Sequence, residues 1–505
     1  MSRIVMDSAG FETRAAVLSN GRLEYIEIER LNRIGLVGNV YKAQVVRVLQ
    51  GLNAAFLNIG ESREAFLPLT DLHEDSLYGE EEDDEAAPEK KEPERDKRRA
   101  PSRRLRLRPR DQVLIQVIKD SIGTKAPKVT ANHISLPGYY LVLLPQKPRR
   151  GISRRINNQA ERDRLLAAVS EVIPAECGFI IRTSAEGCGE RHIKAEADSL
   201  WKTWQEITGR GQSMSAPVRL YSELELPLRM LRDRYTKEIE QVMVDSPLLL
   251  KSCRQYLGRL GMDGRRVSLH QGRKPLFIEH KVDEEIHKMV ARKVPLEGGG
   301  YLVIDETEAL CAIDVNSGRT GGDDYRSMVL RTNLKAAEEI AWQLRLRNVG
   351  GLIVVDFIDM DRHQDRRRVY QSFEKALEPD KARIKVLQIS RLGLVEMTRQ
   401  RTRTTLRDYL AEDCPVCGGQ GQVSSAETVA AQLRRDLAPE LKNQPGIPLL
   451  RRFTRRRIEV KISRSLDDYF KSNLQLVFPE RNYRQMLNLV VDPALPFNGY
   501  RIEGR

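Results

Sequence analysis

Carboxylate and amide side chains follow two apolar runs in the middle of the chain. Asp314 and Asn316 end the run LCAIDVN, and Asp356 and Asp359 belong to the run LIVVDFID. Oxygen ligands of this kind, with few His or Cys residues nearby, favour a hard octahedral ion such as Mg²⁺, which keeps several waters and binds substrate phosphates. Acidic residues directly after strands are also common in turns. Spacing alone therefore leaves a metal site and two ordinary turns as alternatives.

The elements around these residues must bring the carboxylates together. Residues 301–304 and 310–313 are apolar runs on either side of an acidic turn, which predicts a pair of strands. Apolar residues three and four apart among charges over 323–347 predict an amphipathic helix. Two glycines end that helix, and the apolar run 352–355 predicts another strand. This order predicts two buried strands that each deliver a carboxylate.

A second group of metal-ligand type lies in the segment CPVCGGQGQV. Cys414 and Cys417 have the spacing of a zinc knuckle. A structural zinc site needs four ligands, and no second CxxC motif or nearby histidine pair completes this one. A reduced pair without metal and a zinc shared by two chains are the two alternatives. The six cysteines show no even disulfide framework, which favours a reduced, cytoplasmic protein.

A third candidate site follows the apolar run GFII, which ends in Arg182 and Thr183. A planar guanidinium binds a phosphate through two parallel hydrogen bonds, and a neighbouring hydroxyl adds one more. The pair therefore suits a terminal phosphate, although an ordinary surface pair is the alternative.

The N-terminal part of the chain alternates apolar and polar residues. Residues 1–35 do so around an Asn-Gly pair, which predicts a hairpin that must join a sheet elsewhere. Short strands with glycine turns follow from residue 38, and we predict that Tyr41 lies in their core. Lys119 and Lys125, later in the same region, are candidates for phosphate contact. Residues 227–242 predict a helix.

Composition limits the class of protein. A chain of 505 residues is too long for one core, so we expect three or more domains. A net charge of +13 and a pI near 9.4 suit a polyanionic partner, either nucleic acid or an acidic membrane surface. The N-terminus lacks the apolar core of a signal peptide, and no run approaches the roughly 18 apolar residues of a membrane helix. The acidic, then basic, proline-containing segment 74–110 is predicted to be disordered, and its basic end either tethers RNA loosely or is simply solvated.

The segments DVNSG, LIVVDFIDM and SRLGLVEMTRQR resemble the ribonuclease E/G family of bacterial endoribonucleases. The resemblance extends over nearly the whole chain apart from the insert and the last stretch. The chain stops without the long disordered arm that one branch of the family carries, which favours the arm-free branch. The implied fold is multidomain α+β, with an RNase H-like scaffold (1–35 with 216–285), an OB-fold RNA-binding barrel (36–138), a 5′-phosphate sensor (139–215), a DNase I-like catalytic subdomain (286–412), a zinc link (413–426) and a small α/β oligomerisation domain (427–505).

The resemblance also implies roles for particular residues. The catalytic residues would be Asp314, Asn316 and Asp356, with Mg²⁺ on the two aspartates and Asp359 as a supporting acid. The 5′-phosphate pocket would comprise Arg182, Thr183 and Arg383, and RNA would contact Phe56, Phe66, Lys119, Lys125, Arg154 and Arg155. Arg391, Arg399, Arg401 and Arg403 would line the RNA path. Cys414 and Cys417 would share zinc with a second chain, giving homodimers that pair into tetramers through the C-terminal domain.

The implied activity is Mg²⁺-dependent cleavage of single-stranded RNA, faster on 5′-monophosphorylated substrates. The family acts in rRNA and tRNA processing and in mRNA decay, and its products carry a 5′-phosphate and a 3′-hydroxyl. A non-catalytic RNA-binding or ribosome-associated scaffold is the main alternative, and it would need the carboxylates to be purely structural. A DNA-directed nuclease is a third interpretation, because a barrel and a terminal-phosphate pocket suit any single strand.

Overall fold

The computed structural model of the protein describes residues 2–32, 34–72, 107–121, 125–318, 325–390, 393–400, 405–442 and 457–503. The segment predicted to be disordered, 74–110, lies outside the described residues except for its last four. The chain forms two compact units, Met1–Tyr409 and Leu410–Arg505. Both combine helices with sheets, which confirms the predicted α+β class.

The first half of the first unit is rich in strands. Its elements are β1 (Ser2–Ser8), β2 (Glu12–Ser19), β3 (Arg22–Arg30), β4 (Val40–Leu49), β5 (Ala54–Asn58), β6 (Ala65–Pro68), β7 (Gln112–Lys119), β8 (Lys128–Thr130), β9 (Leu136–Pro137), β10 (Leu141–Leu144), β11 (Arg150–Ile152), α1 (Gln159–Ser170), β12 (Gly178–Ile181), α2 (Glu190–Ser213) and β13 (Val218–Tyr221).

Helices and strands alternate in the remainder of the chain. The elements are α3 (Leu226–Arg234), β14 (Ile239–Val244), α4 (Pro247–Arg259), β15 (Val267–Leu269), α5 (Leu276–Glu279), α6 (Val282–Met289), β16 (Lys293–Pro295), β17 (Tyr301–Glu306), β18 (Leu310–Asn316), α7 (Tyr325–Arg347), β19 (Gly351–Asp356), α8 (His363–Leu377), β20 (Ile384–Val386), β21 (Leu394–Arg399), α9 (Leu406–Leu410), α10 (Ala426–Lys442), β22 (Ile458–Ile462), α11 (Arg464–Val477), α12 (Arg481–Met486), β23 (Leu487–Val491) and β24 (Tyr500–Ile502).

The first sheet joins strands that are far apart in sequence, in the order β15-β14-β1-β2-β3. β1 pairs antiparallel with β2 and parallel with β14. Asn20 and Gly21 form the turn between β2 and β3 with φ values of +49° and +78°, which the twist of a two-residue hairpin requires. The predicted hairpin is therefore confirmed.

The predicted helix over residues 227–242 is wrong in its second half. α3 ends at Arg234, and the segment from Ile239 becomes β14. Val242 and Val244 are fully buried in that strand, where they pair with β1. Tertiary pairing with the N-terminal strand therefore overrides the local helical pattern.

The second sheet closes into a barrel. Its strands pair in the order β4-β5-β6-β8-β7, and β7 returns to β4, while β13 adds to the side of β4. Every second side chain along β4 and β5 points into the interior, and Tyr41 is 1% exposed. The core position predicted for Tyr41 is thereby confirmed. A small closed barrel of this kind is OB-like.

The third sheet, in the order β11-β12-β10-β9, packs against α2, and α1 packs against α2 in turn. A carboxylate from α2 stabilises the turn before β10. Glu196 accepts hydrogen bonds from the backbone N–H groups of Tyr139, Tyr140 and Leu141 at 2.7, 2.7 and 3.1 Å. The next strand of this sheet, β12, leads directly into Arg182.

The fourth sheet has the order β16-β17-β18-β19-β21-β20. β17 and β18 are antiparallel, which confirms the predicted strand pair, and α7 confirms the predicted helix. β18 and β19 lie side by side and parallel, joined by the α7 crossover. Trp342 of α7 donates its indole N–H to the carbonyl of Leu23 at 2.9 Å, so this helix is also fixed to the first sheet.

The second unit is small and has its own core. Its sheet has the order β23-β22-β24, and α10 packs against α11. Leu433 and Leu437 of α10 are fully buried with Val460 of β22 and Leu466 of α11. These contacts give the unit a continuous apolar interior.

Candidate active site and RNA-contacting surfaces

Two carboxylates face each other across β18 and β19. Asp314 lies directly opposite Asp356 in the register of these parallel strands, which are spaced about 4.8 Å apart in a sheet. Ile313 and Val355, one residue earlier on each strand, are buried, so both carboxylates emerge on the opposite, exposed face. The predicted candidates Asp314 and Asp356 are thus brought together by strand register.

The electrostatics of this pair suit a cation. Partial burial raises the pKa of Asp356, and the negative charges of Asp314 and Asp359 raise it further. Asn316 donates its amide N–H to Asp314 Oδ2 at 2.6 Å. A divalent ion between the carboxylates would remove the repulsion that raises this pKa.

The donor set fits a hydrated ion rather than an all-protein cage. Within the described ranges, no group of three or more His, Cys, Asp or Glu residues converges to hold a metal. Mg²⁺ is commonly bound through one or two carboxylates, with water and substrate phosphate completing the octahedron. Asp314 and Asp356 supply the two carboxylates of such a site.

The turn after β19 is held by a buried amide that sequence reasoning missed. Asn333 of α7 is fully buried, donates to the carbonyl of Ile358 at 2.7 Å and accepts from its N–H at 3.1 Å. Arg366 donates to the carbonyl of Met360 at 2.6 Å. These bonds fix the backbone on both sides of Asp359. An asparagine on the apolar face of a predicted helix was the signal available in the sequence.

The outer face of the barrel carries paired aromatic rings. Phe56 of β5 and Phe66 of β6 are cross-strand neighbours, half-buried, with ring centroids 5.8 Å apart in an edge-to-face arrangement. The guanidinium of Arg47 lies 4.6 Å from the Phe56 ring centroid, and Lys128 is the register partner of Phe66. Arg47 and Lys128 add positive charge that the sequence analysis did not single out.

The predicted lysine contacts are accessible. Lys119 and Lys125 are both exposed, and Lys119 is a register partner of Lys128 on the neighbouring strand. Rings and cations on one barrel face are the combination that holds a single strand by stacking and by phosphate contact.

A large cavity of about 1440 Å³ lies in the first unit, and Arg155, Arg182 and Thr183 line it. Arg182 Nη1 donates to Asp233 Oδ1 at 3.0 Å, and the hydroxyls of Thr183 and Ser153 are 2.8 Å apart. Arg232 donates to both oxygens of Asp233, and these arginine contacts lower the pKa of Asp233 to about 2 despite its burial. The cavity is therefore lined by the guanidinium of Arg182 and the hydroxyl of Thr183.

Known proteins resemble this chain over most of its length. A family model described as the Ribonuclease E/G family matches residues 135–402, more than half of the chain. The chain is 39% identical to Ribonuclease G of Escherichia coli strain K12 over 433 aligned residues. These residues make up 84% of this chain and 85% of that relative. Ribonuclease G of Haemophilus influenzae is 35% identical over 436 residues, with 86% of each chain covered.

The chain belongs to the ribonuclease E/G family. Ribonuclease E of a Nostoc species is 39% identical over 413 residues, which cover 81% of this chain and 57% of that relative. The family match contains both register-paired aspartates and the cavity arginines. The two barrel rings, Phe56 and Phe66, precede residue 135 and therefore lie outside the matched residues.

One arginine of this family member, Arg399, lies elsewhere than the sequence analysis predicted. Arg399, predicted to line an RNA path, is buried and donates to Asp380 Oδ2 at 2.8 Å and to the carbonyl of Val349 at 2.7 Å. That prediction is wrong, because the end of β21 faces the protein interior. Arg383 is exposed but does not line the cavity of Arg182, and Arg154 is likewise exposed outside its lining. The remaining path arginines, Arg391, Arg401 and Arg403, lie outside the described residues.

The cysteine pair of the second unit has the surroundings of a thiolate site. Hydrogen bonds from the backbone N–H groups of Cys417 and Val416, and from the Cys417 thiol, lower the pKa of the Cys414 thiol. The N–H of Gly421 donates to Cys417 Sγ at 3.3 Å. Backbone donors directed at both sulfurs fit the two thiolates of half a tetrahedral zinc site.

All six cysteines are free thiols. Among the residues that the structure describes, no helix combines the length and the apolar character needed to cross a bilayer.

Proposed function

We propose that the protein is a metal-dependent endoribonuclease that hydrolyses phosphodiester bonds of single-stranded RNA and leaves a 5′-phosphate and a 3′-hydroxyl. The observation that carries the proposal is the register pair of Asp314 and Asp356 in a member of a family whose relatives are named ribonucleases. The proposed substrates are rRNA and tRNA precursors and mRNA undergoing decay. A cytoplasmic location belongs to the same proposal.

The chemistry follows from the two carboxylates. Asp314 and Asp356 would hold Mg²⁺, which supplies charge neutralisation at phosphorus and a bound water of lowered pKa. Asn316 bonds to Asp314 and restrains that carboxylate, and its amide is suited to orient the scissile phosphate or the attacking water. The Asn333 contacts with Ile358 keep Asp359 near the pair as a supporting acid.

A cleavage assay tests this proposal. A short 5′-phosphorylated RNA oligomer should be cut when Mg²⁺ is present and remain intact when it is omitted, and a DNA oligomer of the same sequence should persist. RNA binding without cleavage in Mg²⁺ or Mn²⁺ would contradict the proposal and favour a non-catalytic scaffold. Equal cleavage of the DNA oligomer would contradict RNA selectivity.

Substrate binding is assigned to the barrel face and to the arginines near the cavity. Phe56 and Phe66 would stack on bases, while Lys119 and Lys125 would contact phosphates, as would Arg154 and Arg155. Their exposure and the alignment of the two rings support this assignment. Stacking tolerates any base, and phosphate contacts do not distinguish one sequence from another, so we expect a weak sequence preference. We also expect strong salt dependence, because salt screens the phosphate contacts.

The Phe56→Ala change tests the barrel assignment. We expect the Kd for a single-stranded RNA oligomer to rise roughly 10-fold, because base–aromatic stacking contributes about 1–3 kcal/mol per base. Fluorescence anisotropy in an Asp314→Asn background, where the oligomer should stay intact, measures the change. The control is Phe11→Ala, which removes a ring that is 64% exposed but lies outside the barrel. An unchanged Kd for Phe56→Ala would remove that ring from the RNA contact.

Recognition of a 5′-monophosphate is assigned to Arg182 and Thr183, with Arg383 contributing from outside the cavity lining. The cavity and its guanidinium support this assignment. A terminal phosphate offers several anionic oxygens to these donors, whereas a 5′-hydroxyl offers none.

The Arg182→Gln change should remove the advantage of 5′-monophosphorylated over 5′-hydroxyl RNA without abolishing cleavage of either. The ratio of kcat/KM values should fall roughly 10- to 100-fold, because a charge-assisted hydrogen-bond pair is lost. The control is Arg191→Gln, which changes an exposed arginine outside the cavity lining. A persisting advantage would contradict the pocket.

The finer architecture belongs to the same proposal. The mixed sheet that unites β1–β3 with β14 and β15 supports an RNase H-like scaffold built from 1–35 and 216–285. The sheet holding the carboxylates supports a DNase I-like catalytic subdomain at 286–412. Zinc bound by Cys414 and Cys417 of two chains would form the homodimer, and residues 427–505 would pair dimers into tetramers.

A further inference from the structure

A lysine that the sequence analysis did not single out lines the cavity of Arg182 and Thr183. Lys381 follows α8, in the short loop before β20, and its ammonium donates to the carbonyl oxygen of Asp233 at 3.3 Å. Arg182 bonds to the side chain of the same Asp233 at 3.0 Å. One acidic residue therefore holds both cations at the cavity wall.

The loop that carries Lys381 is fixed by a buried ion pair. Asp380, the preceding residue, accepts from Arg399 Nε at 2.8 Å, and the two side chains are 5% and 3% exposed. The N–H of Ala382 donates to Asp380 Oδ1 at 2.9 Å. Hydrogen bonds to the residues before and after Lys381 fix the backbone from which its side chain extends, and the residue itself is exposed.

Positive charge exceeds negative charge around this ammonium. Partial burial and the nearby charges of Arg234, Arg182 and Arg155 together lower the pKa of Lys381 to about 8, against the opposing effect of Asp233. The guanidinium of Arg234 is itself oriented by stacking 3.8 Å from the ring centroid of Tyr25. Asp233 is already bonded by Arg232. A bound anion would relieve the repulsion among these cations.

We propose that Lys381 is a second cationic contact for the terminal phosphate of RNA, acting with Arg182 and Thr183 to select a 5′-monophosphate. The inference rests on the proposed 5′-end recognition and adds to it a specificity-determining residue. A phosphate monoester has three terminal oxygens. Arg182 already donates through Nη1 to Asp233, so the Lys381 ammonium adds a donor and a positive charge to those that Arg182 and Thr183 can offer the phosphate.

The test compares three single variants of the full-length chain. Lys381→Gln removes the charge, Lys381→Arg keeps it, and Lys385→Gln is a matched control. Lys385 is an exposed lysine four residues further on, in β20, and it does not line the cavity. Each is assayed in Mg²⁺ on one RNA oligomer prepared with a 5′-monophosphate and with a 5′-hydroxyl. The readout is the ratio of the two kcat/KM values.

We expect Lys381→Gln to lower this ratio roughly 10-fold, because one charge-assisted hydrogen bond to the phosphate is lost. Lys381→Arg should restore most of the ratio, and Lys385→Gln should leave it at the wild-type value. A merely structural role for Lys381 would reduce cleavage of both substrates together and leave the ratio unchanged.

The outcomes separate this inference from the function on which it rests. A wild-type protein that cuts both substrates equally would overturn the 5′-end recognition itself, and the role of Lys381 with it. A wild-type preference that survives in Lys381→Gln would overturn the role of Lys381 alone. An equal fall of the kcat/KM ratio in Lys385→Gln would also overturn the role of Lys381, because the effect would then follow from the loss of any positive charge in this region.

Discussion

Asp356→Asn is expected to lower kcat by roughly 10³-fold, with Asp314→Asn equally damaging, because metal-ion catalysis contributes several kcal/mol of charge stabilisation. Each change keeps the shape of the side chain and replaces a charged ligand by a neutral amide. The two carboxylates lie opposite each other in register, so neither strand offers a substitute at the same position. The measurement is single-turnover cleavage of a 5′-phosphorylated RNA oligomer at saturating Mg²⁺.

Binding and folding must be separated from chemistry in that experiment. The affinity for RNA should survive both changes, because the barrel face and the basic surface are untouched. Asp361→Asn is the matched control: it alters an exposed aspartate two residues beyond Asp359 and should leave kcat near the wild-type value. Retained activity in either ligand variant would refute the metal assignment.

Replacing both Cys414 and Cys417 by Ala is expected to convert dimers into monomers. Shared zinc would place two thiolates from each chain around one ion, so the wild-type dimer should contain half a zinc per chain. Structural zinc contributes on the order of 10 kcal/mol in small domains, which makes its loss decisive for assembly. Analytical ultracentrifugation with metal analysis of the same samples measures both quantities.

A thiol control distinguishes this assembly role from a general effect of cysteine loss. Cys188→Ser changes a half-buried thiol of the first unit and should retain zinc and the dimer. Dimers that persist after zinc has left the double variant would reject the shared metal. One zinc per monomer would reject it as well, since the ion would then find its four ligands within one chain.

Local pattern predicted the strands that carry the chemistry. β18 and β19 are visible in the sequence as the apolar runs 310–313 and 352–355, each followed directly by an aspartate. The periodic spacing of α7 and the Asn-Gly turn between β2 and β3 are signals of the same local kind. Each of these signals depends on neighbours within a few residues, so tertiary contacts changed these predicted elements little.

Residues defined by distant partners escaped sequence reasoning. Arg399 resembles the exposed arginines that follow it, and only the fold reveals its buried pairing with Asp380. Lys381 reaches the Arg182 cavity because two segments almost 200 residues apart meet there. The role of Asn333 likewise depends on the return of β19 beside α7. These are contacts between elements, which no periodicity within one element encodes.

The parallel pairing of β1 with β14 has a consequence for the growing polypeptide. Ser2 is the register partner of Ile239, so the first strand leaves the ribosome well before its neighbour exists. At synthesis rates of about 5–20 residues per second, that delay is on the order of 10 to 50 s. During it, the N-terminal hairpin exposes an unpaired edge with Ile4 and Met6 uncovered, and such edges recruit other strands. The hazard of aggregation is therefore concentrated in translation, before the finished protein has closed that edge.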